Sequence, residues 1–307
     1  MPLHPTLTSM LAKAAALPPM ISLPIASIRA TDATRYKIGQ PSDEVASIED
    51  RLIPGPAGPM RIRIYRPDAQ AGRAVTVFFH GGGFVVCSIE SHDDMCRQLC
   101  QRSGTVVVSV DYRLAPEHKF PAAPDDCLAA TRWVAAHAHE FGGDATRLVV
   151  AGDSAGGNLA AVVALRLRDE GGPALAAQLP LYPVTDHYSV QRASYLERAT
   201  GHSLTREAMA WFWNHYLQDA AHGAHPHASP IRADNLAGLP AAYVVTGEYD
   251  PLRDEAEDYA RRLLEAGVPA EVTRYDDMNH GFLFWVGHID TCTRAMDAAC
   301  AWLKAKV

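Results

Sequence analysis

The feature that most constrains this chain is a serine set between glycines where a strand gives way to a helix. Residues 147–151 form a short apolar run rich in β-branched side chains, which reads as a buried strand. Residues 155–168 are rich in alanine and leucine and contain no proline, which reads as a helix. Between them stands Gly152-Asp153-Ser154-Ala155-Gly156. So tight a turn lifts Ser154 out of the sheet, its hydroxyl over the helix N-terminus. Side chains at the glycine positions would collide with strand or helix. The pentapeptide alone fits an ordinary glycine-rich turn equally well. Its strand and helix neighbours favour an exposed nucleophile.

The same alternation runs through the rest of the chain. Residues 75–79 read as a buried strand leading straight into His80-Gly81-Gly82-Gly83-Phe84. Ser91-His92-Asp93-Asp94 resembles a capping box opening a helix that ends near Gly104. Residues 105–110 are nearly continuous valine, the pattern of a parallel strand covered on both faces. A loop at 111–117 and a helix at 124–139, with Pro124 in its first turn, follow. Beyond the serine come a strand at 176–181, a strand at 242–247, a helix at 252–266 and a strand at 272–275. The last helix lines up Ile289, Cys292, Met296, Cys300 and Leu303 on one face. Strands alternating with helices of this length predict a mostly parallel, doubly wound sheet with right-handed crossovers. Residues 44–53 and 61–66, around the turn residues 54–58, predict an antiparallel hairpin at one edge. Two stretches break the rhythm: the first forty residues, and 184 to about 216, which carries Trp211, Phe212 and Trp213.

Composition narrows the function classes. The 307 residues, 48% of them hydrophobic, suffice for one large α/β core with an accessory piece. A net charge of −7 argues against nucleic acid or an anionic membrane as a main partner. The apolar stretch 11–26 is broken by Pro18, Pro19 and Pro24 and lacks a charged leader, which argues against signal peptide and membrane span. The six cysteines show neither C-x-x-C nor zinc spacing, so they are expected as free thiols in a reducing, cytoplasmic setting. His222, His225 and His227 lie in an Ala/Gly/Pro-rich stretch without carboxylate or cysteine neighbours, so a solvated loop is expected there and no metal site. No cofactor motif is present.

A serine hydroxyl needs a base to take its proton as it attacks, and a histidine supported by a carboxylate supplies one. Such partners belong at the C-terminal ends of later strands. Asp250 follows the strand at 242–247, and His280 follows the strand at 272–275. The chain order Ser154, Asp250, His280 is the one this arrangement requires. Asp250 before Pro251 also reads as a helix N-cap with proline at the first helical position, and that role is equally open. Glu248 and Asp254 compete as the acid. His288 competes as the base, but lies nearer the final helix and reads as surface. For the developing oxyanion, consecutive glycines let backbone N–H groups approach without Cβ obstruction. The 80–83 loop offers such donors, and the Ala155 N–H at the helix start offers another. No Lys-Ser/Thr follows the glycines, which argues against a nucleotide P-loop.

Taken together, His80-Gly81-Gly82-Gly83-Phe84, the 111–117 loop, Gly152-Asp153-Ser154-Ala155-Gly156, the run from Asp250 to Glu255 and His280-Gly281-Phe282 resemble the bacterial hormone-sensitive-lipase family of esterases, in its Gly-Asp-Ser-Ala-Gly subgroup. The resemblance covers roughly residues 40–305. It implies an α/β-hydrolase fold, a mostly parallel doubly wound eight-stranded sheet with a helical cap. It implies Ser154 as nucleophile, His280 as base and then acid, and Asp250 as the orienting carboxylate. Gly82, Gly83 and Ala155 would form the oxyanion hole, with Gly81 shaping the loop, and His80 and Tyr112 would brace it. The cap would comprise 1–40 and 184–220, and the core 41–183 and 221–307. Phe84, Trp211, Phe212 and Trp213 then become candidates for the acyl pocket, against the alternative that they pack cap onto core. The implied activity is hydrolysis of short- to medium-chain acyl esters of small molecules through an acyl-serine, without cofactor, by a chain that is a homodimer along a sheet edge in many relatives. An amidase or formamidase on the same residues is the alternative. A non-catalytic receptor on this fold would be expected to lack one of the three residues, and all are present.

Overall fold

The valine-rich runs become strands because helices cover both of their faces. The structure, a computed structural model, describes residues 1–35, 43–190 and 192–307. β1 (Ser47–Gly55) and β2 (Gly58–Arg66) form an antiparallel hairpin closed where Gly55 faces Gly58. β2 pairs antiparallel with β4 (Val106–Val110), which pairs parallel with β3 (Arg73–Phe79). From β3 onward the pairing is parallel, through β5 (Gly143–Asp153), β6 (Ala177–Leu181), β7 (Ala241–Tyr249) and β8 (Ala270–Asn279). The eight strands make one sheet in the order β1-β2-β4-β3-β5-β6-β7-β8, mostly parallel as expected.

The period-two alternation of the strands divides the core. Val75, Val77 and Phe79 join the cluster under α4 (Ala122–His137) and α5 (Ala155–Asp169), which also holds Tyr259 and Leu263 of α8 (Arg253–Glu265). Phe78, Val107 and Val149 face the other way, onto α3 (Asp93–Ser103) and α9 (Asp290–Lys304). Ile289, Cys292, Met296, Cys300 and Leu303 are all buried there, as their spacing predicts. Among the described residues, four α-helices stand outside the alternation: α1 (Pro5–Ala14), α2 (Ile25–Arg35), α6 (Ala193–Glu197) and α7 (Arg206–Tyr216). α2 is tied to the glycine loop's far side. Arg29 donates to the carbonyls of Val85 (2.8 Å) and Ala115 (2.7 Å), and Asp32 accepts the Cys87 N–H at 2.7 Å.

Several element boundaries differ from expectation, each for a physical reason. β5 begins at Gly143 rather than 147. Its polar first residues pair with Arg73 and Ala74 before a register shift, so hydrogen bonds and not apolar burial hold them. β8 runs on to Asn279, and as an edge strand whose side chains are exposed or half-buried until its last two residues it shows little hydrophobic pattern. The expected cap at Ser91 is a misreading. A 3-10 turn (Glu90–His92) precedes α3, and Ser91 Oγ accepts the Ser88 N–H at 2.9 Å instead of capping the helix. The expected boundary at 40/41 lies outside the described residues. No helix among the described residues is long and apolar enough to cross a membrane.

Candidate active site

Two glycines make the strand-to-helix turn possible. A Cβ on Gly156 would sit 1.8 Å from the Phe79 carbonyl oxygen, and one on Gly152 2.3 Å from that of Gly156. Ser154 between them has φ 55° and ψ −117°, a conformation costing a non-glycine residue roughly 1–3 kcal/mol. The neighbours impose it. Ser154 N–H donates to Leu181 O at 2.8 Å, and its carbonyl accepts from the N–H groups of Asn158 (3.1 Å) and Val184 (3.2 Å).

The structure brings Ser154, His280 and Asp250 together. His280 follows directly on β8, and its Nε2 lies 2.9 Å from Ser154 Oγ. Its Nδ1 lies 2.7 Å from Asp250 Oδ2. A carboxylate only accepts, so Nδ1 carries the hydrogen and Nε2 offers its lone pair to the serine hydroxyl. The other oxygen of Asp250 accepts the Leu252 N–H at 2.8 Å. One oxygen of Asp250 thus faces His280 while the other ties the turn that leads into the helix; Asp250 is not the N-cap that Asp-Pro suggests. The helix itself starts later than expected, at Arg253, with Leu252 at its N-cap. Tyr182, buried and strained at φ 36°, presents its ring to the His280 imidazole at 5.1 Å.

The competing groups are engaged elsewhere. Glu248 binds Arg198 (2.9 Å), Arg253 (2.7 Å) and Arg274 (3.1 Å). Asp254 accepts the Ser194 N–H at 2.7 Å, and His288 is exposed beside Trp285. His225 and His227 pack ring to ring at 4.8 Å, and among the described residues no cluster is arranged to hold a metal.

The glycine loop follows β3 and is bonded to Asp153, the residue before the serine. Gly82 (φ 104°) and Gly83 (φ 59°) occupy backbone conformations that suit glycine, and added Cβ atoms would meet Val86 O at 2.1 Å and the Phe212 ring at 2.2 Å. The N–H groups of Gly82, Gly83 and Ala155 donate to no group among the described residues. The Gly81 N–H is already taken, donated to Asp153 Oδ1 at 2.8 Å. His80 stacks on Tyr112 (centroids 4.3 Å apart), and burial, aided by neighbouring His92, pushes its pKa down to about 3. His80 is thus neutral where it lies against Tyr112, and its Nδ1 is 2.7 Å from the Gly81 carbonyl.

Of the four pocket candidates, Phe84 stacks on Tyr216 at 3.8 Å, and Trp213 lies 6.0 Å from Phe84 within the core cluster. Phe212 leans on Gly83, and half-buried Trp211 packs its ring at a tilt against His215, centroids 4.2 Å apart. Sequence reasoning left Asp153, His92, Tyr182 and Glu255 without roles in the site's surroundings. Asp153, inside the pentapeptide, and Glu255, at the end of the run from Asp250, lie in motifs the sequence singles out for the site; His92 and Tyr182 do not.

A model of the alpha/beta hydrolase fold family matches residues 76–284. The chain belongs to this family, on its hormone-sensitive-lipase-like branch. Esterase LipI of Mycobacterium tuberculosis is 44% identical over 269 residues, 86% of this chain and 84% of that protein. The ethyl acetate hydrolase of Pseudomonas putida is 36% identical over 274 residues, 85% of each. Among solved structures, the hyperthermophilic esterase from the archaeon Pyrobaculum calidifontis superposes with a TM-score of 0.95 at 42% identity, covering 99% of both chains. This family member is accordingly an enzyme of the carboxylic ester hydrolase class with the α/β-hydrolase fold.

Proposed function

We propose that the enzyme cleaves short- to medium-chain acyl esters of small molecules through an acyl-serine intermediate. Ser154 Oγ attacks the ester carbonyl while His280 Nε2 takes its proton. Asp250 holds the imidazole by its Nδ1–H and balances the charge that develops on it. The N–H groups of Gly82, Gly83 and Ala155 receive the oxyanion. The tetrahedral intermediate collapses as His280 returns the proton to the leaving alkoxide. Water, activated by the same histidine, then attacks the acyl-serine and releases the acid. Each donor of this kind is worth about 2.7–4 kcal/mol in the transition state. In this reading α1, α2, α6 and α7 form a cap, and Phe212 borders the acyl side where it meets Gly83. The six cysteines, all buried, fit a reducing compartment.

The observation that supports the reading most is the unbroken row from Asp250 through His280 to Ser154, at 2.7 Å and 2.9 Å, beside three uncommitted N–H groups. A serine-reactive phosphonate should add to the peptide containing Ser154 and stop turnover of aryl esters. A series of acyl lengths should peak between acetate and octanoate, with anilides of the same acids turned over far more slowly. Adduct formation elsewhere, with turnover intact, would remove Ser154 from its role.

A further inference from the structure

Behind the glycine loop lies a second row of serine, histidine and aspartate. Ser91 Oγ is 2.8 Å from His92 Nδ1, and His92 Nε2 is 3.0 Å from Asp153 Oδ1. All three residues are buried. Ser91 Oγ also accepts the Ser88 N–H at 2.9 Å and lies 2.8 Å from Ser88 O, so this hydroxyl is saturated and sealed. The row therefore ends in a structural contact, and its working end is Asp153.

Two peptide planes at Gly81 are gripped by this network. The first runs from the His80 carbonyl to the Gly81 N–H. Tyr112 Oη donates to that carbonyl at 2.7 Å, and Asp153 Oδ1 accepts that N–H at 2.8 Å. His92 Nε2 also lies 3.3 Å from the Gly81 nitrogen. Because the carboxylate can only accept, Nε2 carries hydrogen toward Asp153 and cannot serve Gly81 as well. The N–H is thus directed to the carboxylate. The second plane runs from the Gly81 carbonyl, which accepts from His80 Nδ1 at 2.7 Å, to the Gly82 N–H. Peptide groups are planar and trans, so a Gly81 carbonyl held toward His80 turns the Gly82 N–H the opposite way.

We propose that Asp153 is a positioning residue of the oxyanion site. With His92 behind it, its carboxylate takes the Gly81 N–H out of play and fixes the loop so that the Gly82 and Gly83 N–H groups face the substrate carbonyl. The proposal rests on the acyl-serine reading above. Asp153 immediately precedes Ser154, so one residue ties the nucleophile's turn to the donors that must sit opposite it. The space is committed as well: a Cβ on Gly81 would meet Asp153 Oδ2 at 2.6 Å. Burial raises the pKa of Asp153, but His92 and the Gly81 N–H outweigh it and leave the group below the ordinary aspartate range. The acceptor is thus present throughout the neutral range.

The test compares Asp153→Leu, of similar size without an acceptor, with Asp153→Asn, which keeps one oxygen for the Gly81 N–H. With an aryl butyrate, Leu should lower kcat by about 100-fold and leave KM within about threefold, as loss of a transition-state donor does. Asn should restore at least about tenfold of that loss. Affinity for an alkyl boronic acid, whose serine adduct carries an anionic oxygen, should fall with kcat/KM. A Leu variant whose kcat drops less than about threefold while its Tm falls would make Asp153 a packing brace and overturn the proposal. If Asp153→Leu does not fold, glycine-labelled wild-type enzyme decides by NMR. The Gly81 amide should exchange slowly and stay unmoved by the boronate, while Gly82 and Gly83 exchange fast and shift. The reverse pattern overturns the proposal. Turnover retained by Ser154→Ala would sink the acyl-serine reading, whereas a protected Gly81 amide would be unaffected by that result.

Discussion

Ser154, His280 and Asp250 repeat the residue types and nearly the contact distances of Ser91, His92 and Asp153, with the imidazole turned round, and only the first row has the makings of a reactive site. Hydrogen-bond distances do not separate them: 2.9 and 2.7 Å in one, 2.8 and 3.0 Å in the other. Three other properties do. Ser154 sits on a strained turn, whereas Ser91 lies in a relaxed 3-10 turn. Ser154 Oγ has His280 as its hydrogen-bond partner, whereas Ser91 Oγ is shared among Ser88 N, Ser88 O and His92. The His280 side chain keeps 13% of its surface open, and that of His92 none. Residue identity supplies the parts of a nucleophile. Strain, an unsaturated hydroxyl and access are what the role proposed for Ser154 adds to them.

The largest effect that would separate the rows is on turnover. Ser154→Ala should lower kcat on the order of 10⁴- to 10⁶-fold with Tm nearly unchanged. Ser91→Ala should do the opposite. It strands the Ser88 N–H, costs about 1–3 kcal/mol of stability, and lowers kcat by no more than about tenfold. Steady-state kinetics and thermal melts on the pair decide this, and an equal collapse of kcat in both would erase the distinction.

Next in size is the carboxylate. Asp250→Asn keeps an acceptor for the Leu252 N–H but presents an amide to His280, which disfavours the Nδ1–H form the base needs. A fall in kcat of about 10²- to 10⁴-fold with little change in Tm is expected. Asp250→Ala should lose similar activity and a further roughly 0.5–2 kcal/mol of stability, because the cap-like bond at the start of α8 goes too. Equal melting temperatures for the two variants would contradict the double role.

The glycine loop tests a finer point. A Cβ on Gly82 would strike the Val86 carbonyl, which is backbone, whereas on Gly83 it would strike the Phe212 ring, a side chain that can be replaced. Both alanine variants should lose at least about tenfold in kcat/KM through strain and misdirected donors. Phe212→Leu should recover part of the loss in Gly83→Ala and none in Gly82→Ala. A double-mutant cycle reads that coupling directly.

How much of this was legible in the sequence follows from which forces leave a mark there. Apolar burial writes itself into spacing, so β3 to β7 and the buried face of α9 were readable. Tight turns write themselves into glycine, so Ser154 and the 81–83 loop were readable too. Hydrogen bonding to a distant partner leaves no pattern. That is why the pattern starts β5 only at 147, ends β8 at 275 and gives Asp153 no role. Ser91 shows the converse: a sequence that matched a capping box served another turn, because Ser88 N–H was nearer than the helix. Asp250 looked ambiguous because it has two oxygens, and the fold uses both.

The smallest effect concerns a third buried carboxyl, and it sharpens the comparison by reversing its electrostatics. Asp153 is kept ionised by the histidine beside it. Glu255, also buried, has its pKa pushed up to about 8 by burial, against the pull of the Thr185 N–H and of Arg192. Its Oε1 accepts the N–H groups of Thr185 (2.8 Å) and Asp186 (3.2 Å), holding the chain that leaves β6. In the unfolded chain the same group titrates near 4.5, so between that pH and about 8 the folded protein holds a proton the unfolded chain has lost. Stability from this group is therefore full below about pH 4.5 and drains away as pH rises through about 8. Glu255→Gln keeps the acceptor oxygen and fixes the neutral state at every pH. Its Tm relative to wild type should climb by about 2–4 °C for each kcal/mol gained between pH 5 and pH 9, with kcat near pH 6 changed less than about twofold. Other titrating groups are common to both proteins and cancel in the difference. A difference that stays flat over that range would mean that Glu255 is ionised in the fold like Asp153, and that Arg192 does for it what His92 does for Asp153.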